Sequence, residues 1–84
     1  MKMNTKIISS NISEALEELN RINDELSAKS LDEVDFQIKL QHVYHHLNMA
    51  WNVRHIKTEQ YRNMSDEDFE QWGSFPTDIE FEDE

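Results

Sequence analysis

Apolar residues recur every three or four positions from Ile12 through Leu16, Leu19 and Ile22 to Leu26, with Ala15 beside them. That is the spacing of a single helix stripe, and it predicts a first helix over about 11–28. Asn11 with Glu14 suits its start, Glu14, Glu17 and Glu18 complement the positive end of the helix dipole, and Lys29 falls near the negative end. Ser30 and Glu33 then stand in capping-box spacing, while Asp32 and Asp35 load another first turn with acid. Beyond them Phe36, Leu40, Val43, Leu47, Ala50 and Arg54 share one direction within about 40° on a helical wheel, flanked by Tyr44 and Trp51. A second helix over about 31–58 is expected, and so short a connection makes the pair an antiparallel hairpin.

A third start lies in "MSDEDFEQWG", where Ser65 and Asp68 repeat the capping-box spacing and Gly73 stands at the end. A short helix over about 66–72 follows from it. Pro76 helps to stop that helix, and "TDIEFEDE" alternates acid with Ile79 and Phe81, the pattern of an acidic tail. The expected class is all-α. Its domain map is a flexible N-terminal segment over 1–10, a single helical domain over 11–76 and the tail over 77–84. At 1.5 Å per residue the second helix, roughly 40 Å, outreaches the first, roughly 25 Å, and leaves the end bearing Trp51 uncovered.

The second helix carries another aligned set on its opposite side. Ile38, His42, His45, Met49, Asn52 and Ile56 fall near 200° from Phe36, where a solvent face normally holds Lys, Glu and Gln. Both faces of this helix are therefore expected to be covered. The candidate partner-binding residues are Ile38, His42, His45, Met49, Ile56 and Trp51. Two coverings compete. A second copy would produce a homodimer with the form of a four-helix bundle. Alternatively the segment with Phe69, Trp72, Phe75, Ile79 and Phe81 folds back and leaves a monomer.

Composition narrows the chemistry. In 84 residues only about 60–65% of the unfolded surface can be buried, so the core is small. Cysteine is absent, which excludes disulfides and thiolate metal sites. Of the net charge of −10, the last 22 residues carry −9 and contain no basic residue. With no Lys/Arg cluster to neutralise phosphates, direct nucleic-acid binding is set aside. No apolar run reaches the length of a signal peptide or a membrane span, so the expectation is a cytoplasmic protein without a membrane partner.

All four histidines lie in "HVYHHLNMAWNVRH". His42 and His46 are one turn apart and His42 and His45 three residues apart, spacings that can chelate one ion, so His42, His45 and His46 form a candidate metal set. Neither the HExxH pattern nor a Glu three residues before a histidine is present, and the plainer reading makes the imidazoles amphipathic fillers of a half-buried surface. There is no Cys nucleophile, no G-x-S-x-G elbow and no Gly-rich phosphate loop in a chain with one glycine. Neither catalytic residues nor a cofactor is expected. The function anticipated is protein–protein interaction, first of all self-association. An acidic decoy or regulator for a basic protein surface is the alternative, and a histidine-based metal-binding protein the second alternative.

Overall fold

The computed structural model describes residues 2–80 and 82. Four helices follow one another: α1 over Thr5–Ser27, α2 over Glu33–Asn52, α3 over Thr58–Arg62 and α4 over Asp66–Trp72. The chain is all-helical among the described residues, with α1 and α2 packed as the expected hairpin and α3 and α4 laid over its open end. No helix among the described residues is long and apolar enough to cross a membrane. Phe81 lies outside the described residues, and with it part of the expected acidic tail.

Helix α1 starts six residues earlier than the apolar spacing predicts, so residues 5–10, expected in a flexible segment, are helical. The reason is tertiary. Asn4 caps the helix by accepting from the Ile7 amide, and its own amide groups donate to the carbonyls of Arg54 and Ile56 at 2.7 and 2.8 Å. Burial of Ile7 then holds a stretch whose intrinsic helix preference is weak.

The same contacts explain why α2 stops at Asn52 rather than near 58. Val53 is drawn fully into the core, and Asn4 takes the carbonyls of Arg54 and Ile56 that a continuing helix would use. With 20 residues α2 is shorter than the 23-residue α1, so the predicted overhang is absent. Its N-cap is Asp32, which accepts from the Asp35 amide at 2.9 Å, in place of the Ser30 box. Lys29 makes the turn between the helices with φ 56°, a left-handed conformation unusual for a side chain of this length.

Around α4 the local signals match. Ser65 and Asp68 exchange reciprocal hydrogen bonds at 3.0 and 3.2 Å. Gly73 follows with a right-handed φ of −82°, so it is needed for space and not for a left-handed cap. A β-carbon there would meet the His45 ring at 2.6 Å. Two asparagines of α2 hold the far end of α4: Asn48 donates to the Gly73 carbonyl at 3.0 Å, and Asn52 to those of Trp72 and Ser74 at 2.8 Å each.

The core consists of two small clusters. Ile7, Met49 and Val53 gather Ile56, Tyr61, Met64 and Trp72 around them, which joins α3 and α4 to the hairpin. Ala15, Ile22 and Val43 form the second, with Leu31 against it.

Candidate interaction surface

The α1 stripe that meets α2 is Ile7, Asn11, Ala15, Glu18 and Ile22, which are its buried residues. Ile12, Leu16, Leu19 and Leu26, expected to face the second helix, are instead exposed, Leu16 to 57%. The helix is thus turned by most of a quarter rotation from the orientation its apolar spacing suggests. The small Ala15 fits against Val43, and the two polar positions find partners across the seam.

Asn11, 1% exposed, donates from its amide nitrogen to the Ile7 carbonyl at 2.9 Å and to the Tyr61 hydroxyl at 3.2 Å. Its side-chain oxygen lies 2.9 Å from His46 Nδ1. Glu18 takes a charged hydrogen bond from Arg21 at 2.9 Å and has His42 Nδ1 at 3.7 Å. Further along, Lys39 Nζ sits 2.9 and 3.1 Å from the two oxygens of Glu25. Together these contacts make one long edge of the hairpin a polar ladder. Burial, and then the charge of His42, lower the pKa of His46, and the same two causes lower that of His45.

The opposite edge is apolar. There α1 presents Ile12, Leu16, Leu19 and Leu26, and α2 presents Phe36, Tyr44 and Leu47, all exposed. Wheel positions place both sets on the same side of the seam, because in an antiparallel pair the same sense of rotation on each helix leads to a common face. At one end this face deepens into a groove of about 360 Å³ where Ile8, Ile12, Leu47, Trp51 and Ile79 meet. A latch closes that end: the Trp51 indole donates to Asp78 Oδ1 at 2.9 Å, and Arg54 donates to Asp78 Oδ2 at 3.1 Å while stacking 3.9 Å over the Trp51 ring. Those two donors, the indole first, hold the Asp78 carboxyl below its usual range.

The residues nominated from the sequence are therefore divided among four environments. Met49, 1% exposed, belongs to the chain's own core, and Ile56 packs against it. His45 is covered by α4, its ring 4.7 Å from that of Phe69. Ile38 and His42 are exposed on the polar side, and Trp51 borders the apolar groove. The covering segment is split as well: Phe69 and Trp72 lie over α2, Phe75 is exposed, and Ile79 reaches the other edge. Of the candidate metal set, His42 and His46 converge with their Nε2 atoms 3.0 Å apart, while His45 turns toward Phe69. Among the described residues no three His, Asp or Glu side chains converge as a metal-binding group.

The apolar spacing assigns Ile12, Leu16 and Leu19, on which this surface depends, to the side facing the second helix. Burial of Ile7, Ala15 and Ile22 against α2, together with the hydrogen bond of Asn11 to His46, turns them outward. A signal was present: Asn11, Ala15, Glu18 and Ile22 also keep three-and-four spacing and run beside the apolar stripe. Compared with family models, with curated proteins and with solved structures, the chain has no match in any of the three.

Proposed function

We propose that this protein acts by binding protein, and in the first place a second copy of itself, through the apolar edge of the α1–α2 hairpin. One observation carries the reading. The long side chains of Ile12, Leu16, Leu19, Leu26, Phe36 and Leu47 stay about half exposed on a single side of the molecule, while Asn11 and Glu18 take up places in the seam. Burying the half of each such side chain that is still exposed is worth about 0.7–1.5 kcal/mol.

A second copy is the occupant the dimensions favour. At 1.5 Å per residue α1 is about 35 Å long, and two helices packed about 10 Å apart offer a face on the order of 700 Å². Stable complexes bury about 800 Å² per partner, so one hairpin laid on another comes close to a standard interface. Stacking two hairpins about a two-fold axis produces a four-helix bundle and hides the row on both copies at once. The exposed row itself carries no charge, so the repulsion between two chains of net charge −10 arises outside the contact and is reduced by salt.

The test is solution mass by light scattering after gel filtration, in buffer with a chelator and at two concentrations. The expected result is a species of twice the 10.1 kDa chain mass, reduced to a single chain by Leu16→Glu with helix content unchanged. A single-chain mass for the unaltered protein at both concentrations, or a dimer that survives Leu16→Glu, overturns the reading. Met49→Glu is unsuitable, because Met49 lies inside the chain's own core and its replacement unfolds the protein before it reports on an interface.

A further inference from the structure

His42 and His46 stand one helical turn apart on α2, on the polar edge and away from the apolar row. Their Nε2 atoms are 3.0 Å apart. The outer nitrogen of His46 is held by Asn11 at 2.9 Å, and that of His42 faces Glu18 at 3.7 Å.

The side-chain amide of Asn11 donates to the Ile7 carbonyl, a group that can only accept, and this fixes the Asn11 oxygen toward His46 Nδ1 at 2.9 Å. His46 therefore keeps its hydrogen on Nδ1 and presents a lone pair at Nε2. His42 Nδ1 faces the Glu18 carboxylate at 3.7 Å, which favours a hydrogen on that nitrogen too. With both hydrogens on the outer nitrogens, two lone pairs confront each other across 3.0 Å. With the His42 hydrogen on Nε2, that ring donates to His46 across the 3.0 Å gap, and its exposed Nδ1, 3.7 Å from the carboxylate, is left to water.

A divalent cation held by the two Nε2 atoms would take the place of the hydrogen between them. Each ring would then donate outward, to Asn11 or to Glu18, and give its inner lone pair to the metal; a histidine ligand whose other nitrogen donates to a carbonyl or carboxylate is the usual supporting arrangement. Ligand type favours copper(II) and nickel(II), which bind imidazole nitrogens well and come high in the divalent affinity order, and the spacing is compatible with them. With metal–nitrogen distances of about 2.0–2.1 Å, nitrogens 3.0 Å apart subtend about 91–97° at the ion. That is the cis angle of a tetragonal ion, whereas tetrahedral zinc requires the nitrogens about 3.3–3.4 Å apart. We propose that His42 and His46 form a two-nitrogen chelate for a tetragonal divalent cation, copper(II) or nickel(II), whose remaining positions are filled by water. No third His, Asp or Glu joins the pair among the described residues, so the site is a clip and not a closed cage.

The test titrates chelator-treated full-length protein with copper(II), nickel(II) and zinc(II) chloride near pH 7.5, by calorimetry and, for copper, by electron paramagnetic resonance. The expected result is one copper or nickel ion per chain, a copper spectrum with two equivalent nitrogens, and weaker binding of zinc. His42→Ala should lose saturable binding and the two-nitrogen signature, while His45→Ala and His55→Ala retain them. Glu18→Gln should weaken binding about tenfold by loosening the outer partner of His42. Because His42 is exposed, the helix content of His42→Ala should match the unaltered protein, and His42→Gln serves as the second variant. Absence of saturable copper or nickel binding overturns the proposal, as does binding that persists in His42→Ala or is lost in His55→Ala.

Discussion

The two long edges of the hairpin are built from the same two helices and treat their side chains in opposite ways. On the polar edge Asn11, Glu18 and Glu25 of α1 each find a partner on α2, as His46, His42 and Lys39. On the apolar edge Ile12, Leu16 and Leu19 stay about half exposed, Ile12 at the rim of the groove it shares with Leu47 and Trp51. The contrast reflects unequal penalties: leaving a buried polar group without a hydrogen bond costs about 1–3 kcal/mol, and the molecule avoids it within one chain. Exposed hydrocarbon is penalised only by area, and an intermolecular contact can recover that area.

The comparison breaks most visibly if the apolar edge is charged. A two-fold contact presents Leu16→Glu twice, so losing the burial of two half-exposed leucines should cost about 2–3 kcal/mol of association free energy, and two carboxylates brought into an apolar contact add to it, seen as dissociation in light scattering. The stability of the separated chain should change by no more than about 0.5 kcal/mol, as for other exposed positions. A variant that unfolds would mean that the edge belongs to the chain's own core.

A smaller effect is expected from the polar edge. Asn11→Ala leaves the His46 ring nitrogen and the Tyr61 hydroxyl without their partner, and should lower stability by about 1–3 kcal/mol in urea titrations. Its effect on the mass of the folded protein should be nil, the reverse of Leu16→Glu. Equal effects of both variants on both measurements would erase the distinction between the edges.

Acid should act on the covered side of α2 and spare the apolar edge. Burial lowers the pKa values of His45 and His46 below their ordinary 6.5, so both rings are neutral in folded and unfolded chains well above that pH. Below 6.5 the unfolded chain takes up protons that the folded chain resists, and stability falls until the folded values are passed. In metal-free buffer the melting temperature should therefore drop from pH 7.5 to pH 5, and His45→Gln should flatten the profile. A profile already flat in the unaltered protein would contradict the assigned burial.

Least of all, Lys29→Gly should raise stability by about 0.5–1 kcal/mol. Glycine adopts the φ of 56° without the steric cost a β-carbon adds, partly offset by the extra freedom it brings to the unfolded chain. Thermal unfolding of the variant checks this, and a lower melting temperature would mean that the lysine side chain contributes where it stands.

Much of the fold was legible along the chain. The hairpin follows from two runs of three-and-four spacing, and α4 from the reciprocal box of Ser65 and Asp68, because periodicity and capping act over fewer than five residues and need nothing distant. What local pattern could not decide was which way α1 faces and where α2 ends. Asn11 and Glu18 look like surface residues until His46 and His42 lie opposite, 35 and 24 positions away in sequence. Asn4 looks like part of a loose terminus until it reaches the carbonyls of Arg54 and Ile56. Sequence alone determined an all-α hairpin with an acidic C-terminal segment and more apolar surface than its small core could hide. Only the tertiary structure decided that this surface is the Leu16 edge rather than the Met49 side, because burial of Ile7, Ala15 and Ile22 against α2, together with the hydrogen bond of Asn11 to His46, sets the rotation of α1.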